Sequence, residues 1–364
     1  MILAHNRSVD FRVPTSGDCD RYSRLFSRLW SWEYPAEYYQ YKFFENPAGV
    51  ALAAVAVDGM TGEIVGSTAS IPSRYRLNGA DVMATQSGDA GVLPEYRKHG
   101  TYSKIYKLVV TAHLDRVIAF THTVATPDAE EVATRTQHFD PLCRVPIFSR
   151  RITVRALLPQ KVRSLMRVRT EAGFYGKTQA GRYIAAARKI CEREGLHIAV
   201  VEEPDEGFDL LWEQCRDQWP IALIRDRQFM SWRFAHHPVR RYSILAVFKG
   251  EALVGYCVSD VLRRNGMSRG RLSDLLVHPN YPVAGQALLY QAASDMIWQG
   301  ADMLVGWFLP IDRWEPLLRT IGVRHQHRDE RNIIVRVFMA EDSRTELFDP
   351  NCWYYTGGAD TDQL

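Results

Sequence analysis

The residues best equipped for chemistry lie in one run, Asp89-Ala90-Gly91-Val92-Leu93-Pro94-Glu95-Tyr96-Arg97-Lys98-His99-Gly100-Thr101-Tyr102-Ser103. An apolar strand enters this run, and an amphipathic helix carrying Ile105, Leu108, Val109 and Ala112 leaves it. The first amides of a helix have no intrahelical acceptor, and the helix dipole is positive at that end. Such a terminus is a ready anion site, suited above all to phosphate. Gly100 lets the backbone approach a ligand closely, while Arg97, Lys98 and His99 add positive charge or donors.

The elements that must position this loop occur twice. Tyr41-Lys42-Phe43 followed by Asn46-Pro47 returns as Trp232-Arg233-Phe234 followed by His237-Pro238. Gly62-Glu63-Ile64-Val65-Gly66 returns as Gly250-Glu251-Ala252-Leu253-Val254-Gly255, and Asp89-x-x-Val92-x-Pro94-x-Tyr96 as Asp274-x-x-Val277-x-Pro279-x-Tyr281. The offsets, 191, 189 and 185 residues, are nearly constant, which points to a duplication. Each copy reads as an aromatic helical segment, a strand pair joined by a turn at Asp58-Gly59 or Lys249-Gly250, a further strand, a helix, a buried strand, a helix and closing strands. That order predicts an α/β fold of two tandem units, each a mixed β-sheet flanked by helices. The expected divisions are 1–155, a basic helical connector at 156–195, and 196–364.

The loop resembles the signature of the GNAT superfamily of acyl-CoA-dependent N-acyltransferases. That signature is Gln/Arg-x-x-Gly-x-Gly/Ala after a strand, often behind Val-x-Pro, and here it reads Val92-Leu93-Pro94-Glu95-Tyr96-Arg97-Lys98-His99-Gly100-Thr101-Tyr102. The resemblance covers most of 8–155, including an opening Phe11-Arg12-Val13-Pro14 then Asp18, and extends more weakly to about 200–340. It implies that the amides of Arg97 to Thr101 hold the pyrophosphate of acetyl-CoA or another acyl-CoA. It also implies that the backbone of Gly91, Val92 and Leu93 pairs with the pantetheine arm as with an added strand. Tyr102 replaces the final Gly/Ala, so its side chain must be tolerated or turned away. The proton-donating tyrosine frequent in the family falls near Thr134 and is missing. In the second copy, Pro279-Asn280-Tyr281-Pro282-Val283-Ala284-Gly285 has neither Arg nor Lys, and a proline removes a donor amide, so that copy is expected to be degenerate.

Amine acylation needs a neutral nucleophile, hence a proton acceptor. Asp89 sits before the pantetheine strand and is one candidate, although Asp274 repeats it in the degenerate copy. His122, in Phe120-Thr-His-Thr-Val124, titrates near neutrality and is the other. Neither the adjacent His236-His237 nor any other group has metal-ligand spacing, so no metal is expected. Trp30, Trp32, Tyr34, Tyr38, Tyr39, Tyr41, Phe43 and Phe44 crowd the region that covers the acceptor in this fold. The acceptor expected is a small-molecule amine, of an amino sugar, a nucleotide-linked sugar or a specialised metabolite. Two rival readings keep the fold: a Fem-type transferase that uses aminoacyl-tRNA, and a non-catalytic binding protein.

Composition bounds these readings. The 364 residues are 46% hydrophobic and 24% charged, the balance of a folded globular chain long enough for two domains. A net charge of +3 does not call for nucleic acid. Residues 150–193 nevertheless hold 12 Lys and Arg against two acids, with an apolar stripe at Leu157, Leu158, Val162, Leu165 and Met166. That pattern fits a connector helix, or contact with an anionic membrane or a phosphorylated substrate. Six scattered cysteines without a zinc-like spacing read as reduced thiols. No apolar run approaches the ~20 residues that span a bilayer, so a cytoplasmic location is expected.

Overall fold

The computed structural model describes residues 8–30, 34–97, 100–165, 173–327, 330–338 and 344–360. The first copy begins with β1 (Val9–Arg12), α1 (Cys19–Trp30), α2 (Ala36–Phe44), β2 (Leu52–Asp58), β3 (Ile64–Leu77) and β4 (Ala80–Val92). It continues through α3 (Thr101–Asp115), β5 (Phe120–Ala125), α4 (Pro127–Gln137), β6 (Asp140–Arg144) and β7 (Ile147–Arg151). A short α5 (Gln160–Ser164) and a long α6 (Phe174–Glu194) connect the copies. The second copy opens with β8 (Leu196–Val201), α7 (Glu206–Cys215), β9 (Ile221–Leu223), α8 (Arg227–Met230), β10 (Ser243–Lys249), β11 (Ala252–Arg264) and β12 (Met267–Val277). After it come α9 (Pro282–Trp298), β13 (Met303–Leu309), α10 (Ile311–Arg319), β14 (Arg324–His325), β15 (Asn332–Val337), α11 (Arg344–Leu347) and β16 (Trp353–Thr356).

Local sequence explains the long antiparallel pairs. Asn78-Gly79 and Asn265-Gly266 take positive φ (+48° and +82°; +51° and +70°), the geometry of a tight two-residue hairpin turn. These turns join β3 to β4 and β11 to β12 at equivalent places in the two copies. β2, Leu52 to Asp58, is buried at every position, so it reads as a continuous apolar run rather than an alternating one.

The strands form one mixed sheet in the order β6-β15-β5-β4-β3-β9-β16-β13-β12-β11-β10-β8, with β1, β2, β7 and β14 branching from it. The closing strands are exchanged between copies. β15 pairs with both β5 and β6 of the first copy, while β7 pairs with both β13 and β14 of the second. The linear divisions at 155 and 196 therefore follow the chain and not the sheets, since one strand from each side crosses over. β9 and β16 bridge the middle, β9 on β3 and β16 on both β9 and β13.

The repeated aromatic motif meets itself at the centre. Tyr41 and Trp232, 191 residues apart, stack with ring centroids 5.0 Å apart. The Tyr41 hydroxyl donates to the Trp232 carbonyl at 2.7 Å, and Trp232 Nε1 donates to the Tyr41 carbonyl at 3.3 Å. Among the aromatic residues of the first copy, Tyr38, Tyr39, Tyr41 and Phe43 are buried in the core; Trp32 lies outside the described residues.

The basic segment 150–193 uses part of its charge internally. Arg150 donates to the Ile321 carbonyl and to the Tyr183 hydroxyl, and Arg155 donates to the Gly266 carbonyl at 2.8 Å. Met166 and the rest of 166–172 lie outside the described residues. No described helix is long and apolar enough to cross a membrane.

The central join rests on a buried ion pair. Arg225 is fully buried, with Nε 3.0 Å from Asp274 Oδ2, and its guanidinium also reaches the Leu223 carbonyl and Thr356 Oγ1. Removing one partner strands the other's charge without solvent. Arg225→Met is expected to lower unfolding free energy by about 3–5 kcal/mol in urea titrations.

Candidate functional site

Two parallel strands at the heart of the first copy part company. β4 and β5 share only two rungs, Thr85 with Thr121 and Gln86 with His122, and beyond Gln86 they diverge. The cause is a bulge in β4. Against β3, Ala69 pairs with Gly88 and Ser67 with Gly91, so Asp89 and Ala90 together oppose Thr68 alone. Asp89 takes φ +46°, a left-handed conformation that Asp tolerates better than most residues. Residues 87 to 91 remain half-buried along the resulting wedge.

The wedge leads into the predicted anion turn. Gly100 caps α3 with φ +69°, and a side chain placed there would meet no atom within 4 Å. No side chain caps the helix, and no acid lies in its first turn. Thr101 turns its hydroxyl back to the Tyr96 carbonyl at 2.8 Å, and the Tyr96 hydroxyl is tied to Asp58 in the β2–β3 hairpin. The tyrosine of the repeated motif thus holds the turn on the sheet. That contact, with the Met60 and Thr61 amides, draws the Asp58 carboxyl down to about 2. Arg97 Nε donates to the Val92 carbonyl at 2.9 Å, at the end of β4. Tyr102 stacks on Tyr106 and packs into the first core, so its bulk points away from the turn. Lys98 and His99 lie outside the described residues. Gly91, Val92 and Leu93 form the last part of β4 and its exit, with Val92 and Leu93 buried. A Cβ on Gly91 would come within 2.8 Å of Leu29, so α1 roofs the wedge closely there.

The two proton-transfer candidates are placed differently. Asp89 lies at the bulge, its carboxylate 2.5 Å from Lys42 Nζ of α2, with both side chains buried. His122 is in the core, with its ring among Phe120, Trp353 and Tyr355 and one nitrogen 2.9 Å from the Tyr75 hydroxyl. Burial pushes it down to about 4, so it is held neutral and out of reach of solvent. Thr134 bonds the Glu130 carbonyl of its own helix. His237 is buried beside Tyr41 and Tyr242, and His236 pairs with Glu203; among the described residues no group of three His, Cys, Asp or Glu could hold a metal. Sequence reasoning missed Lys42, Gln86 and Asp360. Lys42 carried a signal, because the repeated motif places a basic residue at both 42 and 233. Gln86 and Asp360 are joined by a 2.5 Å hydrogen bond across 274 residues, which no local pattern reveals.

The second copy has the same wedge, but the chain itself fills it. The β12–β13 ladder ends at Leu272 and Gly306, and a bulge follows before Asp274. β16 enters there: Thr356 and Tyr355 pair with Phe308 and Leu309. The Tyr354 hydroxyl bonds the Leu275 carbonyl, and Thr356 Oγ1 bonds Asp274 at 2.8 Å. Gly358 lies so close that a Cβ would sit 3.0 Å from the Ser273 carbonyl oxygen.

A bulged strand, a parted parallel pair and a glycine-capped helix thus meet between residues 85 and 101. Residues 10–126 match the family model of the acetyltransferase (GNAT) domain. Over that segment, about a third of its length, the chain is similar to the GNAT domain. No curated protein matches it in sequence. Among solved structures, Saccharomyces cerevisiae N-myristoyltransferase with bound myristoyl-CoA is similar with a TM-score of 0.61 at 11% identity, over 93% of this chain and 81% of that one. A conserved Enterococcus faecalis V583 protein of unknown function gives 0.60 at 10%, over 91% and 72%. A GCN5-related N-acetyltransferase from Anabaena variabilis ATCC 29413 gives 0.58 at 13%, over 91% and 73%. These likenesses span both copies and show the fold.

Burial also holds His113 down to about 4, against an ordinary value of 6.5 for both histidines. Between pH 6.5 and 4 the unfolded chain binds protons at these rings that the folded chain refuses. Stability is therefore full above pH 6.5 and falls as pH drops towards 4, by on the order of 3 kcal/mol for each ring. Urea midpoints measured at pH 7 and pH 4.5 check this. His122→Gln, which leaves Tyr75 a partner, is expected to remove about half of the difference.

Proposed function

We propose that this chain is an acyl-CoA-dependent N-acyltransferase with a single donor site, in the first copy. The observation that carries the reading is the contrast between the wedges: one is open and leads to an uncapped helix terminus, while the other is filled by residues 353–358. Beyond Gln86 no described strand pairs the β5 side of β4, so the end of β4 offers an edge to the pantetheine arm, and the first amides of α3 offer donors to the diphosphate. Coenzyme A supplies the activated thioester when bound. The protein aligns it, and its amides polarise the carbonyl that an amine attacks.

The acceptor in this reading is a small-molecule amine entering from the face covered by α1, α2 and the second copy. The amine nitrogen bonds the acyl carbon, the C–S bond breaks, and coenzyme A leaves as a thiolate that takes up a proton. An acetyl group is the donor we test first, with longer acyl-CoAs beside it.

Ser103 separates folding from binding. It is exposed in the first turn of α3, where a carboxylate favours the helix by about 0.3–1 kcal/mol but repels a diphosphate. Ser103→Glu is expected to melt no lower than wild type and to bind acetyl-CoA at least tenfold more weakly by calorimetry. Equal affinity in the two proteins removes the α3 terminus from the donor site.

A further inference from the structure

We propose that the end of the second copy where the basic segment 150–193 meets the β11–β12 turn is a docking surface for an anionic lipid bilayer. This surface is separate from the donor site, and the proposal stands without that reading.

Exposed apolar side chains gather there. Phe174 is 89% exposed, Leu165 88% and Val154 79%, and Leu157, Val162 and Tyr175 are exposed as well. Of the apolar stripe in this segment, Leu157, Val162 and Leu165 thus face water, whereas a segment that merely joined two domains would turn such a stripe inward.

The structure holds these residues together. Val154, Phe174 and Tyr175 border one groove of about 480 Å³, which Ile152, Ile297 and Ala301 also line. The chain after Val154 is tied twice to the β11–β12 turn. Arg155 donates to the Gly266 carbonyl at 2.8 Å, and Arg163 Nη1 lies 3.3 Å from Met267 Sδ. α6 is fixed on α9 by Ser294 Oγ, which donates to the Ala180 carbonyl at 3.0 Å. Lys177 in its first turn lies over the exposed Trp298 ring, 5.6 Å from the centroid.

Cations surround the patch without anions to match. Burial, and then the charges of Arg163, Arg264 and Arg271, lower the Arg269 guanidinium below its ordinary value. Asp260 answers Arg271, accepting from its Nε at 2.9 Å. Among the described residues no carboxylate pairs with Arg163, Arg264 or Arg269, and Arg163 Nε is buried without a hydrogen-bond partner. Two further acids nearby are taken, Asp302 by Thr153 and the Ser268 amide, and Asp295 by Gln291. Cations gathered in this way draw their counter-charge from outside the chain.

Apolar and cationic residues side by side fit a bilayer rather than a soluble polyanion. Phe, Leu and Val enter the acyl boundary, Tyr and Trp sit at headgroup level, and Lys and Arg reach lipid phosphates over their own apolar stems. RNA would engage the guanidinium groups and leave the aliphatic side chains in water. The association proposed is peripheral.

The test floats the full chain with vesicles of phosphatidylcholine alone, or with about a third phosphatidylglycerol. The anionic vesicles are expected to bind about tenfold more tightly or better, and raising NaCl from about 0.05 M to about 0.5 M is expected to remove most of that gain. Two double variants separate the contributions, Leu165→Ser with Phe174→Ser, and Lys177→Glu with Arg264→Glu. Each is expected to weaken binding to anionic vesicles about fivefold or more. All four positions are exposed, so both variants are expected to melt as wild type does and to bind acetyl-CoA equally. Binding to the two kinds of vesicle within twofold overturns the proposal, as do anionic vesicles held undiminished by both variants. Loss in the charge variant alone, with transfer RNA bound as tightly as the vesicles, identifies a polyanion site and overturns it too. Vesicle binding by a protein that ignores acetyl-CoA overturns the donor-site reading only.

Discussion

A carboxylate buried in the middle of a sheet cannot be left without a counter-charge, and that constraint shapes both halves of this molecule. Asp89 stands at the bulge that parts β4 from β5, and Lys42 reaches it from α2. The ion pair fastens the helical layer to the strand at the place where the strand stops pairing. Asp274 stands at the matching bulge, and Arg225 answers it. Each parting of strands thus comes with an acid and a buried cation, and the site is as rigid as those pairs.

From that shared plan the copies diverge by what enters the gap. A parted parallel pair exposes backbone donors and acceptors that need partners, from ligand, water or chain. In the second copy β16 supplies them, along with Tyr354 and Thr356. In the first copy no described strand pairs β4 beyond Gln86 on its β5 side. The exchange of β7 and β15 binds the halves further, since each sheet is completed by a strand from the other copy. A chain joined this way has no boundary at which one half could be cut away with its hydrogen bonds intact.

Much of this was legible in the sequence. The repeat, the mixed sheets and the strand-to-helix turn at Gly100 follow from local pattern, because hairpins and helix starts are specified by neighbouring residues. The Asn-Gly dipeptides at 78–79 and 265–266 would have strengthened the repeat. The crossing of β7 and β15 was not legible, because strand pairing over nearly 200 residues depends on register and burial that no window contains. His122 illustrates the same gap. Alternation in Phe120-Thr-His-Thr-Val124 tells which residues share a face, but not that β16 from the far end of the chain roofs that face with Trp353 and Tyr355.

The Lys42–Arg233 equivalence shows one repeated position taking different partners in the two copies. Both residues follow the aromatic partners of the central stack, and both are buried. Lys42 spends its charge on an acid of its own copy. Arg233, free of that duty because Arg225 holds Asp274, turns instead to the carbonyls of Gly358 and Asp360. The second wedge grips a strand, and the chain that follows this strand reaches Gln86, where β4 and β5 part. Matching positions in the two copies thus serve different ends: Lys42 pairs with the acid at the first bulge, and Arg233 holds the residues that fill the second wedge.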